Sequence, residues 1–454
     1  MRRLPLTRFD LAVTGVSLAL ALATVVVIAR GDQVNLTPVA VAPAPSAAGV
    51  STRASIHVRF ARPLRPASVA AAWQIEPPAP GRLAWSGSTL TWTASQPLAA
   101  GTTYRVTLAP GLEETGGRRS RAPFSWQFTT RDAWLVVLRR VDGVANLWLI
   151  DPATGQARSL TRERADVTDF SPAPDSSRIA YTRQDSPTQT SVWAVDVASG
   201  ATSRLSPDEP ASFAAPAWSP DGQLVVLERR QALPGALASP KLVAVRPDGA
   251  PAGLIYGRGD EVGFGARWSP DGTRLAFFDP VRQAIVVFNF TRDRVLIPVQ
   301  TAIAFAWSPD GRRLVVEDVI AGGSAFQHVL LLADAATGAT ERLTTAHDVD
   351  DAAPAWSPDG QTIAFTRRPT AGAITGAQPM LLRLDCGAAR PLLASAAATL
   401  ETVQLAWSPD GRQIALGRLP LNDPSAETQL WLADPSGAAP PQVLGAGSMA
   451  AWLP

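Results

Sequence analysis

The densest group of potential cation ligands in the chain is the run His347-Asp-Val-Asp-Asp351, in which one imidazole and three carboxylates fall within five residues. Hard divalent cations take oxygen ligands of this kind. The run lacks the glycine and the terminal glutamate of an EF-hand loop, so a solvated acidic loop is the stronger reading. The other two histidines, His57 and His328, lie far from it in sequence. No Gly-x-Ser-x-Gly elbow, Walker loop, Cys/His zinc pattern or spacing of paired catalytic carboxylates occurs. We therefore assign no catalytic, cofactor-binding or metal-ligating residue and expect a protein that is not an enzyme.

The elements that would have to position any site are set by a repeat. Trp-Ser-Pro-Asp-Gly occurs five times, starting at Trp218, Trp268, Trp307, Trp356 and Trp407. A degenerate copy begins at Phe170, and Trp452-Leu-Pro454 ends the chain. These anchors are separated by 48, 50, 39, 49, 51 and 45 residues, the period of propeller blades and too long for most helical repeats. Within a period the order is anchor strand, tight turn, apolar strand, variable loop, apolar strand, second turn and short last strand. The second turn has its own signature, as in Asp151-Pro-Ala-Thr-Gly155 and Asp334-Ala-Ala-Thr-Gly338. Pro and Asp at these positions, with Gly beyond, are what a bend between strands demands, so the repeated Asp reads as turn chemistry and the repeated Trp as packing.

Residues 134–139, 145–150 and 157–160 have the composition of the last three strands of a blade whose anchor strand is missing. Met449-Ala-Ala-Trp452 can supply it and close the ring, which leaves no unpaired strand edge. Six internal anchors and this shared blade make seven. Residues 132–454 resemble the TolB-like β-propellers, relatives of the WD40-like repeats, although TolB itself has six blades. Upstream, residues 51–131 carry alternating strands at sandwich spacing. Phe60-Ala-Arg-Pro-Leu-Arg-Pro66, Leu98-Ala-Ala-Gly-Thr-Thr-Tyr104 and Trp126-Gln-Phe-Thr-Thr130 resemble bacterial Ig-like domains. That resemblance implies a spacer or adhesion module. The expected fold is thus all-β, a seven-bladed β-propeller preceded by an Ig-like β-sandwich and one N-terminal transmembrane helix.

The helix is expected at Leu11 to Ala29, nineteen residues without a charge and long enough to span a bilayer. Arg2, Arg3 and Arg8 precede it, which assigns residues 1–10 to the cytoplasm and the rest of the chain to the outside. Its length favours a retained anchor over a signal peptide cleaved after Ala21-Leu-Ala23. Residues 30–50, rich in Pro and Ala, are expected to be an extended linker. Forty prolines and 34 glycines suit a chain of many turns, and the single Cys386 excludes an intramolecular disulfide. Lys241 is the sole lysine among 41 basic residues, the net charge is +2, and no basic run exceeds a pair, so nucleic acid is not expected as a partner.

In a four-stranded antiparallel blade the first and third turns share one face and the remaining connections share the other. Long loops at 231–240, 320–327, 368–379 and 420–428 collect on this second face, where length variation marks a binding surface. Segments entering the anchor strands place Asp166, Asp169, Asp260, Glu261, Asp350, Asp351 and Glu401 there as an acidic rim, with Asp208 and Glu209 nearby. Arg139, Arg140, Arg183, Arg229, Arg230, Arg367, Arg368 and Arg418 follow the second strands, farther out. The plainer expectation is that the two sets pair with each other; the sharper one is a funnel that receives a basic peptide or, weakly, a cation. On the sharper one, neutralising Asp166, Asp260, Asp350 and Asp351 together abolishes partner capture at an unchanged melting temperature. The functional expectation is a membrane-anchored, single-pass scaffold of the bacterial cell envelope that binds a protein or peptide and uses no cofactor. The alternatives are a protein secreted after signal cleavage and an extracytoplasmic propeller enzyme or peptidase-associated subunit. The end of the chain at Pro454 argues against a hydrolase domain downstream.

Overall fold

The computed structural model describes residues 33–34 and 36–453, apart from residues 53, 95–97, 132, 234–235, 292, 302–303, 323–324, 372–374, 394–398 and 424. The expected cytoplasmic tail and membrane helix lie outside the described residues. Among the described residues no helix is long and apolar enough to cross a membrane. The chain divides into two compact units, residues 1–131 and 132–454, at the boundary read from the sequence.

The first unit is a sandwich of two four-stranded sheets. One orders Ala47–Val50, Phe124–Thr130, Thr103–Leu108 and Trp73–Glu76; the other orders Ala40–Ala42, Ile56–Arg59, Thr89–Ala94 and Gly81–Ser86. Burial alternates along Ile56–Arg59 and Thr103–Leu108, as in strands with one face on a core and one in water. Ile56, Val58, Leu90, Val106 and Phe128 fill the interior. The expected linker at 30–50 is corrected here. Gln33–Val34 pairs with Arg119–Ser120, Ala40–Ala42 with 57–59, and Ala47–Val50 lies parallel to Phe124–Thr130. Val41, Ala47 and Val50 pack on the same core. Pro43 and Pro45 fall between two strands, where a missing N–H costs no ladder bond, so the proline content that suggested a tether is strand punctuation.

The second unit contains seven antiparallel sheets, each with its anchor strand at one edge. Sheet 1 takes Trp134–Val141, Val144–Ile150 and Ala157–Ser159, and its anchor strand is the C-terminal Ser448–Leu453. Sheets 2 to 7 begin at Val167–Pro172, Ala211–Trp218, Phe264–Trp268, Phe305–Trp307, Val349–Trp356 and Leu400–Trp407. Seven apolar clusters join them in a cycle: sheets 1 and 2, 2 and 3, 3 and 4, 4 and 5, 5 and 6, 6 and 7, and 7 back to 1. The cluster that closes the cycle packs Trp452 and Ala450 against Leu430 and Leu432. In sheet 4 the second and third strands, Leu275–Asp279 and Ala284–Phe288, are nearly all apolar, because both of their faces meet a neighbouring sheet.

The repeated pentapeptide forms the turn after each anchor strand. In sheet 3, Gly222 N donates to Ser219 O at 2.9 Å, Ser219 Oγ donates to Asp221 Oδ1 at 2.6 Å, and Asp221 Oδ1 accepts Gln223 N at 3.0 Å. The Ser219 hydroxyl holds the Asp221 carboxyl below its ordinary range. Five of the six anchor indoles then tie one sheet to the previous one, whereas Trp218 Nε1 is buried without a hydrogen-bond partner. Trp268, Trp307, Trp356, Trp407 and Trp452 donate through Nε1 to the carbonyls of Ala217, Arg267, Ala306, Ala355 and Ala406, at 3.0 to 3.2 Å.

Close approach between sheets also explains one second-turn glycine. Gly338 sits at φ +76°, and a Cβ there would lie 2.5 Å from the carbonyl oxygen of Leu296 in the neighbouring sheet. Gly360, in a pentapeptide turn at φ +69°, has only the Pro309 ring at 3.6 Å. Gly338→Ala is expected to cost clearly more than Gly360→Ala, which bears roughly the 1 kcal/mol of a left-handed alanine alone. Urea denaturation of the two variants checks the order.

Candidate functional site

The structure occupies the acidic rim with internal partners. Asp166 takes two guanidinium N–H groups of Arg140, at 3.1 and 3.0 Å, and Ala145 N at 2.8 Å. Those donors, Arg140 first, hold its carboxyl below the ordinary range. Glu261 takes Arg294 at 2.6 Å through Oε1, and Arg258 N and Gly257 N through Oε2. Burial opposes its ionised form, yet these donors outweigh burial and its pKa is lowered. Asp351 holds Arg367 in a two-point pair at 2.7 and 2.8 Å and is only 2% exposed. Asp350 accepts His328 N at 2.9 Å, and Glu401 pairs with Arg368. Glu209 pairs with Arg229 at 2.6 Å. Asp260 is the loosest of the set, well exposed and 3.8 Å from Arg282. The expectation that Asp351 can be neutralised without affecting the fold is corrected by its burial against Arg367.

Asp169 behaves differently. It precedes the anchor Phe170, as Arg267 precedes Trp268, and the first strands of successive sheets neighbour one another around the ring. Although they stand two sheets apart, the charge of the Arg267 guanidinium acts on the Asp169 carboxyl. The corresponding residues of the other sheets are Ala217, Ala306, Ala355, Ala406 and Ala451. Burial pushes the Asp169 carboxyl up to about 6, and Glu228 adds to the rise, while Phe170 N–H and Arg267 oppose it. The fold therefore disfavours ionised Asp169: stability is full below its unfolded value of 3.8 and is lost as pH rises through about 6. Asp169→Asn is expected to match the parent near about pH 3.5 and to exceed it at about pH 8, by at most roughly 3 kcal/mol. Urea midpoints at the two pH values check this.

Glu228 and Glu317, which the sequence did not single out, have a structural task at the inner edge. The anchor strands bulge at Gly265 and Ala353, which adopt φ +61° and +50° and leave an N–H off the ladder. Glu228 accepts Gly265 N at 2.8 Å and Glu317 accepts Ala353 N at 2.9 Å, each from the preceding sheet. Gln404 does the same for Ala450 N at 2.8 Å. The available signal was a carboxylate closing an apolar run, Val225-Val-Leu-Glu228 and Leu314-Val-Val-Glu317, ten residues after the anchor. Burial raises the Glu228 pKa.

The second face, where the variable connections lie, is built differently from expectation. The 320–327 segment is a hairpin tip between Arg313–Gly322 and Ala325–Asp334, and part of 231–240 pairs as Ala232–Leu233 with Ala236–Leu237. The tips of these second-to-third-strand hairpins carry exposed apolar side chains: Phe326 at 78%, Val281 at 57% and Leu233 at 51%, with Val141 and Leu421 on further sheets. The pentapeptide turns lie on the other face, where Gly272, Gly311, Gly360 and Gly411 each stack near the proline of the preceding turn. Among the described residues no group of three or more His, Cys, Asp or Glu side chains converges as a metal site.

Comparison with known proteins follows the two units. A family model of the bacterial Ig-like domain matches residues 32–130, and one of the N-terminal region of dipeptidyl peptidase IV matches residues 119–233. No curated protein matches the chain in sequence. Among solved structures, a puromycin-hydrolysing peptidase of Mycobacterium tuberculosis aligns with TM-score 0.52 and 14% identity, over 88% of this chain and 57% of that one. An oligogalacturonate lyase from Vibrio parahaemolyticus aligns with TM-score 0.50 and 15% identity, over 66% of this chain and 86% of that one. TolB from Acinetobacter baumannii aligns with TM-score 0.44 and 14% identity, over 84% and 83%. The fold is shared with the lyase and the peptidase, and residues 32–130 match a bacterial Ig-like domain. At these identities the likeness concerns the fold. On the propeller, the rim carboxylates are held by its own arginines and backbone, and exposed apolar side chains stand at hairpin tips of the second face.

Proposed function

We propose that this chain is a membrane-anchored, extracytoplasmic interaction scaffold, with a seven-bladed propeller as recognition head and the Ig-like domain as its stalk. The anchor is the apolar segment at 11–29, and the partner is a protein or peptide of the cell envelope. The observation that carries the reading is the collection of exposed apolar tips on one face, Phe326 foremost, around a frame of charges already neutralised by one another. Exposed apolar groups rimmed by polar ones mark association surfaces, and an aromatic at a hairpin tip is a typical anchor residue. The same fold carries a lyase and a peptidase, so the reading rests on surface chemistry and not on the fold.

The triple variant Leu233→Ser/Val281→Ser/Phe326→Ser tests it. These side chains are exposed, so the melting temperature is expected to stay within a few degrees of the parent. Capture of the envelope protein retained by the parent chain is expected to fall at least tenfold. Undiminished capture would sink the reading.

A further inference from the structure

Five of the seven sheets place an arginine at the same point of the second strand, near its loop end: Arg139, Arg183, Arg229, Arg367 and Arg418. Three of them have a carboxylate. Arg183 pairs with Asp185 at 2.7 Å and Glu163 at 3.3 Å, Arg229 with Glu209 at 2.6 Å, and Arg367 with Asp351 at 2.7 Å. The side chains of these three are 21% to 27% exposed. Arg418 is 1% exposed, and no described carboxylate lies within ion-pair distance of it. Arg139, over the Trp148 ring at 5.3 Å, also has no described carboxylate but is only partly buried, so Arg418 is the one fully buried guanidinium of the set and it has no counter-charge.

Strand register shows what is missing. In sheet 6, Asp351 stands opposite Arg367; in sheet 7, Thr402 stands opposite Arg418. Threonine has replaced the aspartate. Thr402 Oγ1 and Arg418 Nε are both buried without a hydrogen-bond partner. Among the described residues, the polar contacts of Arg418 are through Nη2, to Gln378 Oε1 at 3.1 Å and to Leu400 O at 3.5 Å, while the guanidinium lies over the Trp431 ring at 5.1 Å. An arginine stays charged in proteins, and a buried charge with neither partner nor water is strongly unfavourable. An unpartnered guanidinium Nε and an unpartnered hydroxyl on the residue opposite in register match the two oxygens of a carboxylate. Gln378, which accepts from Arg418 Nη2, also lines a cavity of about 220 Å³ whose other walls are Arg367, Pro369, Pro379, Met380, Pro391 and Leu393.

We infer that Arg418 and Thr402 form a binding site for a carboxylate supplied from outside the chain, whose apolar body occupies the adjoining cavity beside Gln378. The ligand group takes the place that Asp351 fills in sheet 6. This site is independent of whether the hairpin tips recognise a protein. A carboxylate of this type is offered by a short apolar acid or by the C-terminus of a peptide ending in an apolar residue.

The test uses the full chain at constant ionic strength, with thermal unfolding and calorimetric titration against acetate, 4-methylpentanoate, N-acetyl-leucine and N-acetyl-leucinamide. The melting temperature is expected to rise saturably with the three acids and not with the amide. The two apolar acids should bind at least tenfold more tightly than acetate, and the better of them identifies a free acid or a peptide terminus as the source. Thr402→Asp supplies the carboxylate internally, so it should raise the melting temperature of the unliganded protein and abolish the response. Arg418→Met should abolish the response as well. No carboxylate-dependent response in the parent, or an undiminished one in Thr402→Asp, would overturn the site. Equal affinities for acetate and the apolar acids would overturn the assignment of the cavity.

Discussion

Truncation after Gly447 is expected to unfold the second unit as a whole rather than to fray its end. The last strand supplies the inner edge of sheet 1, pairing Leu453 with Trp134 and Trp452 with Leu135. It also supplies Trp452 and Ala450 to the cluster that joins sheet 7 to sheet 1. Without it, the anchor edge of sheet 1 and the flank of sheet 7 face water together, and the exposed ladder invites pairing with other chains. Trp452→Ala isolates the packing share. It empties a nearly buried indole and removes its bond to Ala406 O at 3.0 Å, at an expected cost of about 3–5 kcal/mol. The truncated chain should lose its cooperative transition and elute as aggregates, whereas Trp452→Ala should keep the transition at a lower urea midpoint. A truncated chain that melts like the parent would mean that the ring does not depend on its closing strand.

Removing one partner of the Asp351–Arg367 pair is the second large effect. Both groups are largely withdrawn from water and joined at two points. Asp351→Ala leaves the Arg367 guanidinium buried beside Phe365 with no counter-charge, at an expected cost of about 3–5 kcal/mol. The double variant Asp351→Ala/Arg367→Met should recover most of that loss, because the uncompensated charge is gone. Asp260→Ala, at an exposed carboxylate 3.8 Å from Arg282, should change stability by less than about 0.5 kcal/mol. Urea midpoints of the four proteins form the comparison. If the double variant were as unstable as the single one, packing of the arginine stem and not charge would be the cause.

What could be read in the sequence was what short-range chemistry specifies. Ser219, Pro220, Asp221 and Gly222 form their turn with one another, so the turn and the strand before it were visible, and with them the period and the closing role of Trp452. The rim residues were identifiable as acidic residues on one face, but their partners were not. Glu261 meets Arg294 thirty-three residues away, and Glu401 meets Arg368 from the neighbouring sheet. Those pairings follow from the register of one sheet against the next, which no local pattern encodes. The segment at 30–50 was misread for a related reason. Its strands are three and four residues long and pair with 57–59 and with Phe124–Thr130, so their partners, not their own composition, make them strands. Arg418 was noted as one more rim cation. Its difference from Arg367 became visible only when register placed Thr402 where Asp351 stands.

Recognition is proposed on the face of the propeller opposite the pentapeptide turns. Site-specific photo-crosslinking tests this most directly, with a benzophenone side chain placed in the full chain either at Phe326, on an exposed hairpin tip, or at Gln361, exposed beside a pentapeptide turn. Irradiation in envelope preparations is expected to give a discrete adduct from position 326 and none from position 361. An adduct from position 361 with none from position 326 would contradict it.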